Sequence, residues 1–214
     1  MISAGEAQFA PLSFSCFERI IITMLRELLK KNRSIRSFDP SVKVTKEELL
    51  DMIECTRLCP SSANLQALKF CPVYEEDKVA MVFSETKWAG YIKDEEIPPK
   101  GCGPAAFIVV VNDTLIAKNT VPFYKDTGIV SHTILLRACE MGYGGCMIGS
   151  FDKEGIAAAL SLPENYEITL VLAIGKAKES PEIVECVGDI RYYRRDGGHF
   201  VPKRSLEEIV VEYN

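Results

Sequence analysis

Seven consecutive residues, Asn32-Arg33-Ser34-Ile35-Arg36-Ser37-Phe38, put two guanidinium groups and two hydroxyls within five positions. They follow a helical pattern that ends in Lys30 and Lys31. A guanidinium presents a planar fork of donors that matches a phosphate or another compact anion, so the loop has the composition of an anion cradle. A solvated basic loop has the same composition, and these residues alone do not separate the two. Two further stretches bear on the choice: Cys59-Pro60-Ser61-Ser62-Ala63-Asn64-Leu65-Gln66, and Pro202-Lys203-Arg204 near the C-terminus. The serines and carboxamides of the first supply donors and acceptors together, as an imide-edged heteroaromatic ring requires, although Ser and Asn are also ordinary turn residues. Lys203 and Arg204 stand just ahead of a helix start, where the macrodipole disfavours cations. That mild penalty favours a role for them in the cradle.

The composition narrows the ligand. The 214 residues carry a net charge of -5, which argues against a general nucleic-acid binder, whose affinity rests on neutralising phosphates. Basic residues nevertheless cluster at 26–36 and 191–204, a pattern that suits a small anion better than a polyanion. The eight cysteines form no C-x-x-C pair, and His132 and His199 lie far apart, so no metal or iron–sulfur site is expected. The cysteines read as small buried hydrophobes of a reducing compartment. No apolar run has the length of a membrane span, and the first 16 residues lack the pattern of a secretory signal; the expected location is the cytoplasm, without a membrane partner. The glycines of Gly142 to Ser150 do not fit the dinucleotide fingerprint, and there is no P-loop, G-x-S-x-G elbow or H-E-x-x-H. They serve close approach of backbone to a ligand or to another backbone. His132, on an apolar helix, is expected to be a hydrogen-bonded core residue, and Asp126 to cap the helix that it begins.

The elements that must position these residues follow from periodicity. Residues 1–23 read as a loosely held extension, with helical patterning clear from Ile21 to Lys31. Residues 24–214 read as one domain. Thr45-Lys46-Glu47-Glu48 is a capping box that opens a helix to about Leu58. Lys69–Tyr74 reads as an edge strand because of Pro72, and Asp77 as the cap of a short helix. Residues 84–103 are irregular, with Trp88 and Tyr91 among glycines and prolines, and read as a lid over a substrate pocket. Ala105–Val111 is a strand covered on both faces, residues 126–141 a long apolar helix ended by Gly142, and Gly144–Gly149 a short buried strand. Asp152 caps a helix, Ile168–Ile174 is a central strand, and Ser205-Leu206-Glu207-Glu208 opens a terminal helix. Strands interleaved with helices give an α+β (α/β-like) fold, with helices on both sheet faces.

Taken in order, Arg33-Ser34-Ile35-Arg36-Ser37-Phe38, Pro60-Ser61-Ser62-Ala63-Asn64-Leu65-Gln66, Ala138 to Phe151, Ile174-Gly175-Lys176 and His199-Phe200-Val201-Pro202-Lys203-Arg204 resemble the FMN-dependent nitroreductase family. The resemblance spans roughly residues 24 to 212. It implies a central mixed β-sheet flanked by helices, in an intertwined homodimer with FMN at the interface. It would put Arg33, Ser34 and Arg36 on the FMN phosphate, ribityl chain and pyrimidine side, with Arg36 stabilising the reduced flavin. Pro60, Ser61, Ser62 and Asn64 would come from the second chain against the flavin, Gln66 would join the cofactor contacts, Ile148 and Gly149 would lie along the ring, and Lys203 and Arg204 would return to the phosphate. Asn32 stands where many members have a further arginine, which places more of the phosphate on Arg33 and the tail.

The implied activity is passage of a hydride from NAD(P)H through FMN to a nitroaromatic, a quinone or an activated alkene. No protein group acts as a catalytic acid, base or nucleophile, and Trp88 and Tyr91 line the pocket of the small-molecule acceptor. The same fold also accommodates a dehalogenase, in which Glu85, Tyr91 and Lys93 would grip a zwitterion, or an oxidase. A flavin-binding protein without turnover is the alternative from another class.

Overall fold

The computed structural model describes residues 16–92 and 94–213. The helices are α1 (Cys16–Lys31), α2 (Lys46–Glu54), α3 (Glu76–Ser84), α4 (Tyr124–Glu140), α5 (Lys153–Leu160) and α6 (Leu206–Ile209). The strands are β1 (Leu68–Val73), β2 (Ala106–Asp113), β3 (Gly144–Ile148), β4 (Tyr166–Gly175), β5 (Glu182–Glu185), β6 (Tyr193–Arg195) and β7 (Gly198–Lys203).

An apolar run such as Ala106–Val111 is stable as a strand only when both of its faces are covered. Every residue of β2 is buried, and the alternation of side chains divides them between two cores. Phe107, Val109 and Val111 pack with α3 and α5, while Ala106, Ile108 and Val110 pack with α2 and α4. On β4, Val171 and Ala173 share the first core, and Leu172 and Ile174 the second. The β2–β4 register shifts between Val110 and Val111, pairing Leu170 and Ile168 with them and leaving Thr169 as the extra residue. That bulge brings Ile168 to the same face as Val171. Helices thus cover both faces, as expected.

The main sheet has the order β1-β2-β4-β3, with Pro72 on an edge strand as predicted. Its four strands pair antiparallel throughout. The parallel component of the expected mixed sheet is a single bridge, Ser34 to Gly145, on the β3 edge. A second sheet, β5-β7-β6, joins a parallel to an antiparallel pair. It was not foreseen, because its strands are three to six residues long and β5 and β6 are mostly exposed.

Local chemistry explains the helix boundaries. Thr45 Oγ1 accepts from the Glu48 amide at 3.2 Å, and the Thr45 amide donates to Glu48 Oε2 at 2.8 Å, so the capping box of α2 forms as read. Asp152 and Ser205 also cap their helices, although α6 is only four residues long. Two caps were misassigned. Glu75, not Asp77, precedes α3, and α4 starts at Tyr124, so Asp126 falls inside its first turn. The expected loose arm falls outside the described residues for 1–15, and from Cys16 onward the backbone belongs to α1.

Among the described cysteines only Cys146 is buried; Cys55, Cys59, Cys71, Cys102, Cys139 and Cys186 are partly exposed free thiols. Among the described residues no helix is long and apolar enough to cross a membrane.

Candidate functional site

The Arg33–Phe38 segment is gripped on both sides. The Ile35 amide donates to Gly145 O at 2.9 Å on β3, while Asp39 N donates to Lys176 O at 2.8 Å and Lys178 N to Ser37 O at 2.9 Å. Gly144 of β3 makes this approach feasible, while Gly145 gives room to β4 and α4. A Cβ on Gly144 would lie 2.6 Å from Ile35 Cγ1, and one on Gly145 would lie 2.5 Å from both Ala173 O and Leu135 Cδ2. Of the two uses expected for these glycines, the structure shows backbone against backbone.

The segment forms one wall of a cleft of about 280 Å³ that also receives Lys203 from the end of β7. Arg33, Ser34, Arg36 and Lys203 therefore come together, and among the described residues no carboxylate lines the cleft. Arg33 Nη2 donates to Leu29 O at 2.7 Å, capping α1, while its buried Nε has no partner. The Arg36 guanidinium lies 4.7 Å from the centre of the Tyr192 ring, a cation–π contact. Met147 and Leu135 line the cleft from β3 and α4. His132 lines it too, and is exposed; the core role expected of it is not what the structure shows, because the second core covers the Val130, Ile134 and Ala138 side of α4 instead.

Behind Arg36 lies a buried charge node. Glu179 accepts a hydrogen bond from the Arg36 amide and another from Arg194 Nη2 at 2.6 Å. Its Oε2 lies 3.5 Å from Nδ1 of His199, which is itself 4% exposed and meets Tyr192 edge-on. Burial pushes the Glu179 carboxyl up, but the contact with His199, the Arg36 amide and the Arg194 charge outweigh it and hold the group below its ordinary value.

The Pro60–Gln66 stretch does not reach this cleft within the chain. Pro60, Ser61, Asn64 and Gln66 line a separate cleft of about 400 Å³ with Asp126 and Val130 of α4. Three non-glycine residues there are left-handed: Ala63 (φ 51), Asn64 (φ 54) and Gln66 (φ 51). That conformation costs an ordinary L-residue about 1–2 kcal/mol, and asparagine less. The serine hydroxyls, read as ligand groups, already have partners. Ser61 Oγ donates to Asp126 Oδ2 at 2.9 Å, and Ser62 Oγ to Oδ1 at 2.6 Å; the Ser62 amide donates to Oδ2 at 2.7 Å. Burial pushes the Asp126 carboxyl up, but hydrogen bonds from the Ser62 hydroxyl and amide and from Ser61 more than offset it, leaving the group below the usual carboxylate range.

The other predicted residues lie as follows. Ile148 turns its side chain into the first core, so Met147, its neighbour of opposite facing, meets the cleft. A Cβ on Gly149 would meet open space. Arg204 points away from Lys203 and pairs with Glu208 at 3.4 Å. Trp88 packs on Phe83 and donates from Nε1 to Thr86 Oγ1 at 2.8 Å; it belongs to the rim of the first core, not to the cleft. Tyr91 is exposed and packs at a tilt against Tyr192, with ring centres 5.3 Å apart. Glu85 lies against Gly155 of α5, and Lys93 lies outside the described residues. Tyr192, Glu179 and Asp126 were missed as site residues. Asp126 alone had a local signal, an acidic residue in an apolar helix, and it was read as a cap.

A cationic cleft between a glycine-bearing edge strand and a C-terminal strand, on an antiparallel sheet wrapped by helices, defines an architectural class. Residues 29–176 match the model of the Nitroreductase family, a span that takes in the Arg33 segment, the Pro60–Gln66 loop and β3. The chain belongs to the nitroreductase family. It is 32% identical over 186 residues to "Putative NAD(P)H nitroreductase YdgI" of Bacillus subtilis, covering 72% of this chain and 88% of that protein. The solved FMN-dependent nitroreductase of Clostridium difficile R20291 is similar with a TM-score of 0.58 at 28% identity, over 72% of this chain and 88% of that one. A "putative nitroreductase in complex with FMN" from Exiguobacterium sibiricum superposes with a TM-score of 0.59 at 25% identity, over 72% and 88% of the two chains.

Proposed function

We propose that the protein is an FMN-dependent oxidoreductase that takes electrons from NAD(P)H and passes them to a small organic acceptor. The observation that carries this reading is the convergence of Arg33, Arg36 and Lys203, from opposite ends of the chain, in one cleft that has no carboxylate among its described lining residues. The donor set fits FMN. Arg33 and Lys203 supply fixed positive charge for its phosphate, and the buried Arg33 Nε without a partner is a donor left for a ligand. Arg36, with its amide held by Glu179 and its guanidinium over Tyr192, supplies positive charge for the pyrimidine edge. FMN held there would supply reversible two-electron chemistry between NAD(P)H and a nitroaromatic, a quinone or an activated alkene. The residues of this chain bind, orient and stabilise charge, and solvent supplies the proton that accompanies each hydride.

The working unit in this reading is a homodimer, in which the Pro60–Gln66 loop of one chain closes the Arg33–Lys203 cleft of the other. Two observations support it: the two predicted clusters line clefts with no residue in common, and the C-terminal segment leaves Leu206, Ile209, Val211 and Tyr213 exposed. The free thiols suit the reducing cytoplasm.

The test is the visible spectrum of the purified protein, followed by identification of the chromophore released on denaturation. The expected result is a flavin band, FMN in the supernatant, and bleaching on addition of NADH or NADPH that a quinone reverses. A protein that is colourless and takes up no added FMN overturns the reading. One that holds FMN which neither nucleotide bleaches overturns the enzyme and leaves a flavin carrier.

A further inference from the structure

We propose that Asp126, on α4, is a positioning residue that acts across the dimer: it holds the Pro60–Gln66 loop in the shape with which one chain closes the flavin cleft of the other. The proposal rests on the composite dimeric site set out above. Ala63, Asn64 and Gln66 are all left-handed, and backbone in sparsely populated conformations persists only where its surroundings over-determine it. Apolar packing does not do so here, since residues 63–66 are exposed, Leu65 included. The tether is polar. Both oxygens of Asp126 are used, by the hydroxyls of Ser61 and Ser62 and by the Ser62 amide, and Ser61 Oγ in turn accepts from the Gln66 amide at 3.1 Å.

One carboxylate thereby fixes both ends of the strained stretch and leaves the edges of Asn64 and Gln66 facing the separate cleft. Asp126 is 3% exposed and sits in the first turn of α4, where the helix dipole favours a negative charge. A buried carboxylate with this donor set is more than a turn requires, because serines and asparagines close turns unaided. Its position, on the same helix that sends His132 and Leu135 to the other cleft, ties the shape of the loop to the rigid body that carries both sites.

The experiment uses full-length protein with FMN as the probe. Three forms are compared, wild type, Asp126→Ala and Asp126→Asn, by fluorescence titration of FMN and by hydrogen exchange at the Ser62 and Gln66 amides. Asp126→Ala should raise the Kd for FMN at least tenfold and speed exchange at both amides. Asp126→Asn keeps one acceptor oxygen and can donate to Ser62 Oγ, so it should restore affinity to within a few-fold of wild type. Mixed dimers, made by co-expressing differently tagged Asp126→Ala and Arg36→Ala chains, should bind one FMN per dimer with wild-type affinity. In these dimers one site receives the intact cleft of the first chain and the intact loop of the second. A misfolded Asp126→Ala chain could not complement in this way.

Asp126→Ala that binds FMN as well as wild type overturns the proposal. Mixed dimers without a tight site, alongside wild type that has two, overturn the action across the interface. Wild-type protein that takes up no FMN overturns the functional reading and with it the role of the loop in the site.

Discussion

Arg36 and Lys203 carry charge into the cleft, whereas Arg204, next in sequence, is spent on Glu208. The two neighbours should therefore separate in titration. A charge-assisted hydrogen bond contributes about 1.5–3 kcal/mol, so Arg36→Ala and Lys203→Ala should each raise the FMN Kd roughly ten- to hundred-fold, read by fluorescence quenching. Arg204→Ala removes an exposed pair of about 0–1 kcal/mol and should leave the Kd within a few-fold. A second expectation concerns acid. The Glu179 carboxyl is held below its ordinary value near 4.5, so its stabilisation is present above that value and is lost as pH falls through the lower, folded-state pKa. Glu179→Gln should accordingly be less stable than wild type at neutral pH, and the gap in Tm should close as the pH is taken from 5 towards 3 (about the carboxylate range). A constant gap across that series would remove Glu179 as the titrating group. At this scale Arg33, Arg36 and Lys203 were legible, because residue type alone announces fixed charge, and Ser34 came with them as their neighbour in sequence. Tyr192 and Glu179 were not. They act through burial and through contacts with residues far along the chain, and neither leaves a local pattern.

Among the elements, β3 matters beyond its five residues, because Gly144 leaves room for Ile35 and the Gly145 carbonyl holds the Ile35 amide. In Gly145→Ala the new methyl would meet the Ala173 carbonyl oxygen and Leu135, and a backbone atom cannot step aside as a flexible side chain can. Overpacking of this kind costs about 1–3 kcal/mol. Urea unfolding should show that loss, and FMN affinity should fall with it because Ser34 and Ile35 are displaced. A variant destabilised to this extent with unchanged affinity would uncouple the strand from the cleft. The long apolar strands and capped helices were readable from periodicity and capping chemistry, which are local. The small sheet was not. β5 and β6 read as Glu182-Ile183-Val184-Glu185 and Tyr193-Arg194-Arg195, too short and too polar for a period to emerge, and pairing with β7 makes them strands.

For the whole molecule, the decisive fact is that residues grouped by the sequence into one site line two clefts. Residue types and spacing do not assign them to one subunit or two, since that depends on where α4 turns each face; only the family resemblance implied a second chain. A chain shortened to end at Ser205 loses the apolar run whose Val211 and Tyr213 are 90% and 97% exposed. Light scattering after gel filtration should find the full chain dimeric and the shortened one shifted to monomer, with FMN lost in parallel. A monomer that retains FMN would contradict the composite site.

The Arg33–Phe38 segment is hydrogen-bonded to β3 on one flank and to residues 176–178 on the other, and Glu179 holds the Arg36 amide. A wall pinned in this way has no hinge. Under the function proposed above, any adjustment to acceptors of different size is expected beside Tyr192, where the exposed Tyr91 rests on that ring and Glu95 reaches Arg194 at 3.4 Å. In that reading, substitutions at Tyr91 and Glu95 are expected to shift acceptor preference, while the anion-holding wall stays a fixed reference against which they vary.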